Sequence, residues 1–146
     1  MKFILKTLVT AVFVLGLVYS ATFAHKPGEM QFVIHMSDGD WQKINLALNN
    51  GFNLIKHYGV GNVEVEIVAY GPALKMFKSD SKVADRIKSL HAFGGVSYGI
   101  CGTTMKKMKL TKADLIDAAF VRDGVVPGGI VRIAELQDAG YHYIRP

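Results

Sequence analysis

The sequence predicts an α/β fold: a mainly parallel sheet of about five strands with helices on both faces, a three-layer sandwich. Three observations point to it. Short apolar runs of strand character, among them Phe32–Ile34, Val65–Ala69 and Val96–Ile100, recur along the chain. Between them lie stretches whose apolar residues repeat at three- and four-residue spacing, as one face of a helix requires. Glycines punctuate nearly every transition. Strand–helix–strand alternation needs crossover connections, and their fixed right hand makes successive strands parallel.

The amino-terminal segment stands apart from that pattern. Lys2 and Lys6 precede an almost unbroken apolar run, Leu8–Val18, and Thr22-Phe23-Ala24 sets small residues at the positions a signal peptidase reads. Residues 1–24 therefore read as a cleaved secretory signal peptide. The apolar run falls short of the ~20 residues of a membrane span, so no stable span is expected after cleavage, and an uncleaved anchor is the alternative. Cleavage after Ala24 leaves 122 of the 146 residues and, with two lysines lost, takes the net charge from +5 to +3. Residues 25–30, with Pro27 and Gly28, form a flexible leader. Residues 31–146 suit one domain, long enough to bury a core without staples. The expected destination is the periplasm or the exterior, both oxidising.

The elements follow in order. Gln31–Met36 is a buried first strand, and His35 at its end is expected to be a hydrogen-bonded structural residue. Ser37-Asp38-Gly39-Asp40 is turn and cap chemistry for a helix from Asp40 to Tyr58. Its apolar stripe is Trp41, Ile44, Leu48, Phe52 and Ile55, with Asn45, Asn49, Asn50 and Asn53 on the solvated flanks. Val63–Ala69 is the second strand, on which Glu64 and Glu66 fall on one side and are expected to be solvated. Gly71-Pro72 breaks it, and Ala73–Lys78 is a short helical turn. Ser79-Asp80-Ser81 caps a helix with Val83, Ile87 and Leu90 inside, His91 in its last turn and Gly94-Gly95 as its stop. Val96–Ile100 is the third strand and Thr103–Lys109 a short basic helix; Thr111 and Asp114 then form a capping box. A fourth strand lies between Ala118 and Val126. Pro127 opens the last helix, whose inner face is Ile130, Ile133, Ala134 and Gln137, and Tyr141–Ile144 is the fifth strand.

Several chemistries are excluded. The mild charge shows no basic stripe with interleaved aromatics, so nucleic acid is not an expected partner. The histidines at 35, 57, 91 and 142 are scattered around a single cysteine, so no metal and no other cofactor is expected. Gly59-Val60-Gly61 precedes a strand rather than a helix, the wrong order for a phosphate loop, and no Gly-x-Ser-x-Gly elbow occurs.

The reactive candidate left is Cys101. It stands at the carboxyl end of a strand and just before a helix, where open α/β sheets hold ligands. The amides of Gly102, Thr103 and Thr104 are helix-start donors, and Lys106, Lys107 and Lys109 add positive charge. Both favour a thiolate. Gly71 and Pro72, at the end of the preceding strand, are the neighbouring candidates for ligand contact. The other reading is a small buried hydrophobe, the commonest fate of a free cysteine. One cysteine cannot close an intrachain disulfide; in an exported chain it is tucked away, bridged between chains, or reactive.

From Val33–Asp38, Lys43–Asn50 and Val65–Pro72, through Ile100–Met105 and Val126–Val131, to Gly140–Pro146, the chain resembles the DsrE/DsrF-like family of sulfur-handling proteins, in a small exported branch. The order and spacing of these segments over residues 31–146 carry the resemblance. It implies a flavodoxin-like α/β sandwich associating into trimers or hexamers, and sulfane sulfur carried as a cysteine persulfide between donor and acceptor proteins. Cys101 is the residue that carries over as sulfur carrier. Relay members are cytoplasmic, whereas this chain bears an export pattern. A non-catalytic oligomeric module binding a small ligand or peptide, with an inert cysteine, is the alternative.

Overall fold

The computed structural model describes residues 30–146. The expected signal peptide and residues 25–29 of the leader lie outside the described residues. Five parallel strands make one sheet in the order β4-β3-β2-β1-β5: β1 Met30–Met36, β2 Val63–Ala69, β3 Val96–Cys101, β4 Val125–Val126 and β5 His142–Ile144. The helices are α1 Trp41–Tyr58, α2 Ala84–Phe93, α3 Gly102–Lys107, α4 Ala119–Asp123 and α5 Gly129–Asp138, with 3-10 turns at Gly71–Phe77 and Lys112–Asp114. Among the described residues no helix is long and apolar enough to cross a membrane.

The layering follows from the strand order. From β1 to β4 the chain steps sideways in one direction, so right-handed crossovers put α1 and α2 on one face. The last connection steps back past β1 to reach β5, so α5 lands on the opposite face. The two cores differ greatly in size. Ile34, Met36, Ile44, Leu48, Ile67 and Phe77 are among more than twenty buried apolar side chains on the first face. The second face buries Val33 and Val68 of the sheet against Ile133 and Leu136 of α5.

Local chemistry accounts for most boundaries. Asp40 caps α1 through Oδ1, which accepts from the amides of Gln42 at 2.8 Å and Lys43 at 3.1 Å. Gly59, at φ +90°, ends it. The Thr111–Asp114 capping box forms as expected, both ways.

Other expectations are corrected. Phe52 is 40% exposed, because Gly51 turns a bare backbone to Ile34, Ile67 and Leu90 and rotates the buried stripe toward Ala47, Leu48 and Gly51. Asn45 and Asn49 do not merely face solvent; both accept from the Arg86 guanidinium of α2. Helix α2 starts at Ala84, with Ser81 Oγ accepting from the Val83 amide rather than capping the helix itself. The fourth strand shrinks to two residues because Ala119–Asp123 coils into a turn of helix first. Pro127 lies before α5, whose cap is Gly128. The inner face of α5 is Gly129, Ile133 and Leu136; Ile130 is 61% exposed and Ala134 and Gln137 face out. Its apolar residues Ile130, Val131, Ile133, Ala134 and Leu136 cover more than half of the helix, so periodicity alone does not choose a face. Close approach at Gly129 does.

Candidate functional site

Strand β3 delivers Cys101 to the carboxyl edge of the sheet, where it is also the N-cap of α3. Its sulfur accepts from the Thr104 amide at 3.4 Å, three residues on, as an N-cap oxygen would. The Thr104 hydroxyl is aligned in turn: its oxygen accepts from the Gly71 amide at 3.0 Å, which leaves its proton to point at the sulfur. Gly71 is bent to φ +56° where the chain leaves β2, and this conformation, easy only for glycine, brings its amide to Thr104.

The third support comes from across the sheet. The first residue of α5, Gly129, packs its bare backbone against Cys101, and its amide helps to lower the thiol pKa. A Cβ there would lie 3.2 Å from the Cβ of Cys101 and 2.9 Å from Tyr70 Cδ1. Thr103 ties the two helix starts together, with its hydroxyl and amide donating to the Pro127 carbonyl at 2.9 and 3.2 Å.

These donors decide the protonation of the thiol. Burial raises its pKa, since a thiolate loses hydration there. The Thr104 hydroxyl and the nearby amides of Gly129, Thr104 and Thr103 outweigh that and hold the pKa below the ordinary thiol value. The residue is 5% exposed, yet it lines an open cleft of ≈ 470 Å³.

The sequence candidates separate around this cleft. Gly71, Pro72, Thr103, Thr104 and Lys107 line it with Cys101. Gly102 lies outside its wall, packed so that a Cβ would sit 3.1 Å from the Val126 carbonyl oxygen. Lys106 is exposed and also outside it. Sequence reasoning missed Tyr70, Met108, Gly128, Gly129, Ile130 and Val131, which complete the cleft. The available signal for Gly129 was the Gly128-Gly129 pair at a helix start, which permits close backbone approach.

His35 stands nearby on β1. Its Nδ1 is 2.6 Å from the Tyr143 hydroxyl and its ring stacks on Tyr70 at 4.9 Å, so it is hydrogen-bonded as expected. Its Nε2 has no partner. Burial, and then the charge of Arg145, lower its pKa. Glu66, expected in solvent, is buried on the α5 face and receives a two-pronged hydrogen bond from Arg132, Nε at 2.9 Å and Nη2 at 2.7 Å. Among the described residues no three His, Cys, Asp or Glu side chains gather as a metal site.

An all-parallel α/β domain with one cysteine cradled at the carboxyl edge of its sheet defines the class. The chain belongs to the DsrE/DsrF-like family, which it matches over residues 30–146, and that family is in general related to sulfur relay. A solved structure of a protein of unknown function from Methanobacterium thermoautotrophicum, MTH1491, is similar at 27% identity with a TM-score of 0.70, over 80% of this chain and 99% of that one. No curated protein matches the chain.

Proposed function

We propose that the protein carries sulfane sulfur on Cys101 as a persulfide. The observation that carries this reading is a sulfur that caps one helix start, accepts from the Thr104 amide and lies against the bare backbone of a second helix start, at the wall of an open cleft. A sulfur-accepting cysteine must attack as the thiolate, and hydrogen-bond donors favour that form. In the loading step the Cys101 thiolate attacks the outer sulfur of a persulfide donor, R–S–SH. The new S–S bond forms as the old one breaks, RS⁻ leaves, and Cys101–S–SH results with no net oxidation. Membership of a family related to sulfur relay supports the same reading. The apolar leader pattern of residues 1–24 supports a periplasmic or secreted location, and the resemblance supports a homo-oligomer, a trimer or hexamer.

Mass spectrometry after incubation with polysulfide or thiosulfate tests the proposal. The mature protein gains sulfur on Cys101, and Cys101→Ser gains none while keeping its fold. A wild-type protein left unmodified overturns it. The low exposure of Cys101 favours one rival, a binding module with an inert thiol. Slow alkylation and a thiol pKa at or above ~8.5 would establish that rival instead.

A further inference from the structure

The α5 face of the sheet is thinly covered. Its buried core is Val33, Val68, Ile133 and Leu136, with Tyr70 and Tyr141 packed against it, a small apolar contact on which to register α5. The same helix sets the Gly129 backbone against Cys101, where a Cβ would lie 3.2 Å from the cysteine Cβ, and a small slide or roll would withdraw its amide from the sulfur's surroundings. Arg132 sits three residues further on, ~4.5 Å along the axis. It grips the buried Glu66 carboxylate with two parallel hydrogen bonds. Two-pronged pairs define distance and angle together. Glu66 reaches its position because Gly99 beside it has no side chain: a Cβ there would lie 2.8 Å from Glu66 Oε1.

We propose that the Glu66–Arg132 ion pair is a positioning clamp that holds the start of α5 on the Cys101 sulfur. The inference rests on the reading of Cys101 as the working group. Other titratable groups surround both ends. Glu135 and Tyr141 face Arg132, and Glu64 faces Tyr141, while Lys107 and Tyr70 stand in the wall of the cleft by the sulfur.

The sign of one substitution separates positioning from simple charge. Glu66→Ala removes a negative charge; by Coulomb effects alone the thiol pKa falls and alkylation quickens. A lost clamp does the reverse: the Gly129 amide retreats and the thiol pKa rises. The assay is the iodoacetamide rate of Cys101 against pH, with circular dichroism to confirm folding. At pH 7 the expected rate in Glu66→Ala is about tenfold below wild type, with the profile displaced to higher pH. An unchanged or faster rate overturns the clamp. Should that variant not fold, Arg132→Lys keeps the charge and loses the fork. It should slow alkylation in the same direction, and a wild-type profile there also overturns the clamp. A wild-type thiol titrating at or above ~8.5 overturns the carrier reading, and the clamp with it. A low wild-type value that Glu66→Ala leaves unchanged overturns the clamp alone.

Discussion

Substituting Gly129 by alanine sets two opposed effects against each other. Gly129 occupies ordinary helical backbone, so alanine alone would stabilise α5 by ~0.5–1 kcal/mol through lost unfolded-state freedom. The added methyl has no room. It would meet Tyr70 Cδ1 at 2.9 Å, Tyr70 Cβ at 3.0 Å and Cys101 Cβ at 3.2 Å. Both Cβ atoms move only with their backbones, and the Tyr70 ring is held by its stack on His35. Overpacking of this kind costs ~1–3 kcal/mol. The net expectation is a destabilisation of ~1–2 kcal/mol, a fall in Tm of about 4–8 °C for a domain this size. The helix start is also driven outward, so its amide leaves the sulfur and the thiol pKa rises. Calorimetry under reducing conditions reads the first effect and the pH profile of alkylation the second. A Gly129→Ala protein that melts at or above the wild-type temperature, with an unaltered alkylation profile, refutes the reasoning.

Three other outcomes follow from the same geometry. Thr104→Val keeps the shape but strands the Gly71 amide and removes a donor to the sulfur; alkylation at pH 7 should slow about threefold to tenfold, and Thr104→Ser should restore it. His35 has a folded pKa below its model-peptide value of 6.5, so its contribution to stability is complete above pH 6.5 and declines as the pH falls below it, when the unfolded chain takes up the proton first. Thermal melts of His35→Phe should therefore depend less on pH below 6.5 than those of wild type; equal slopes would assign the dependence elsewhere. Tyr98 donates its buried hydroxyl to the Ile87 carbonyl at 3.0 Å, so Tyr98→Phe should lower stability by ~1 kcal/mol on denaturant titration, and an unshifted midpoint would show that the bond contributes nothing net.

Legibility in the sequence followed the physics of each segment. Strand β2 was readable to the residue because Val63, Val65, Ile67 and Val68 give a β-branched, at first alternating run closed by Gly71-Pro72. Helix α1 was readable because its cap, stripe and stop agree; the rotation at Phe52 and the Arg86 contacts of Asn45 and Asn49 escaped. Strand β4 was not, since two residues carry no period. Glu66 was misjudged for a related reason. Alternation shows which side of a strand a residue takes, but not whether an arginine from a distant helix waits there.

Local chemistry thus determined a great deal by itself: most of the element order, the parallel sheet, and the place of Cys101 at the junction of strand and helix. Those properties depend on neighbours a few residues apart, and such neighbours are written consecutively. Tertiary structure decided what surrounds the sulfur. Gly71, Thr104 and Gly129 come from three separate connections, and only the reversal of strand order that sends α5 to the far face brings its first residue to Cys101.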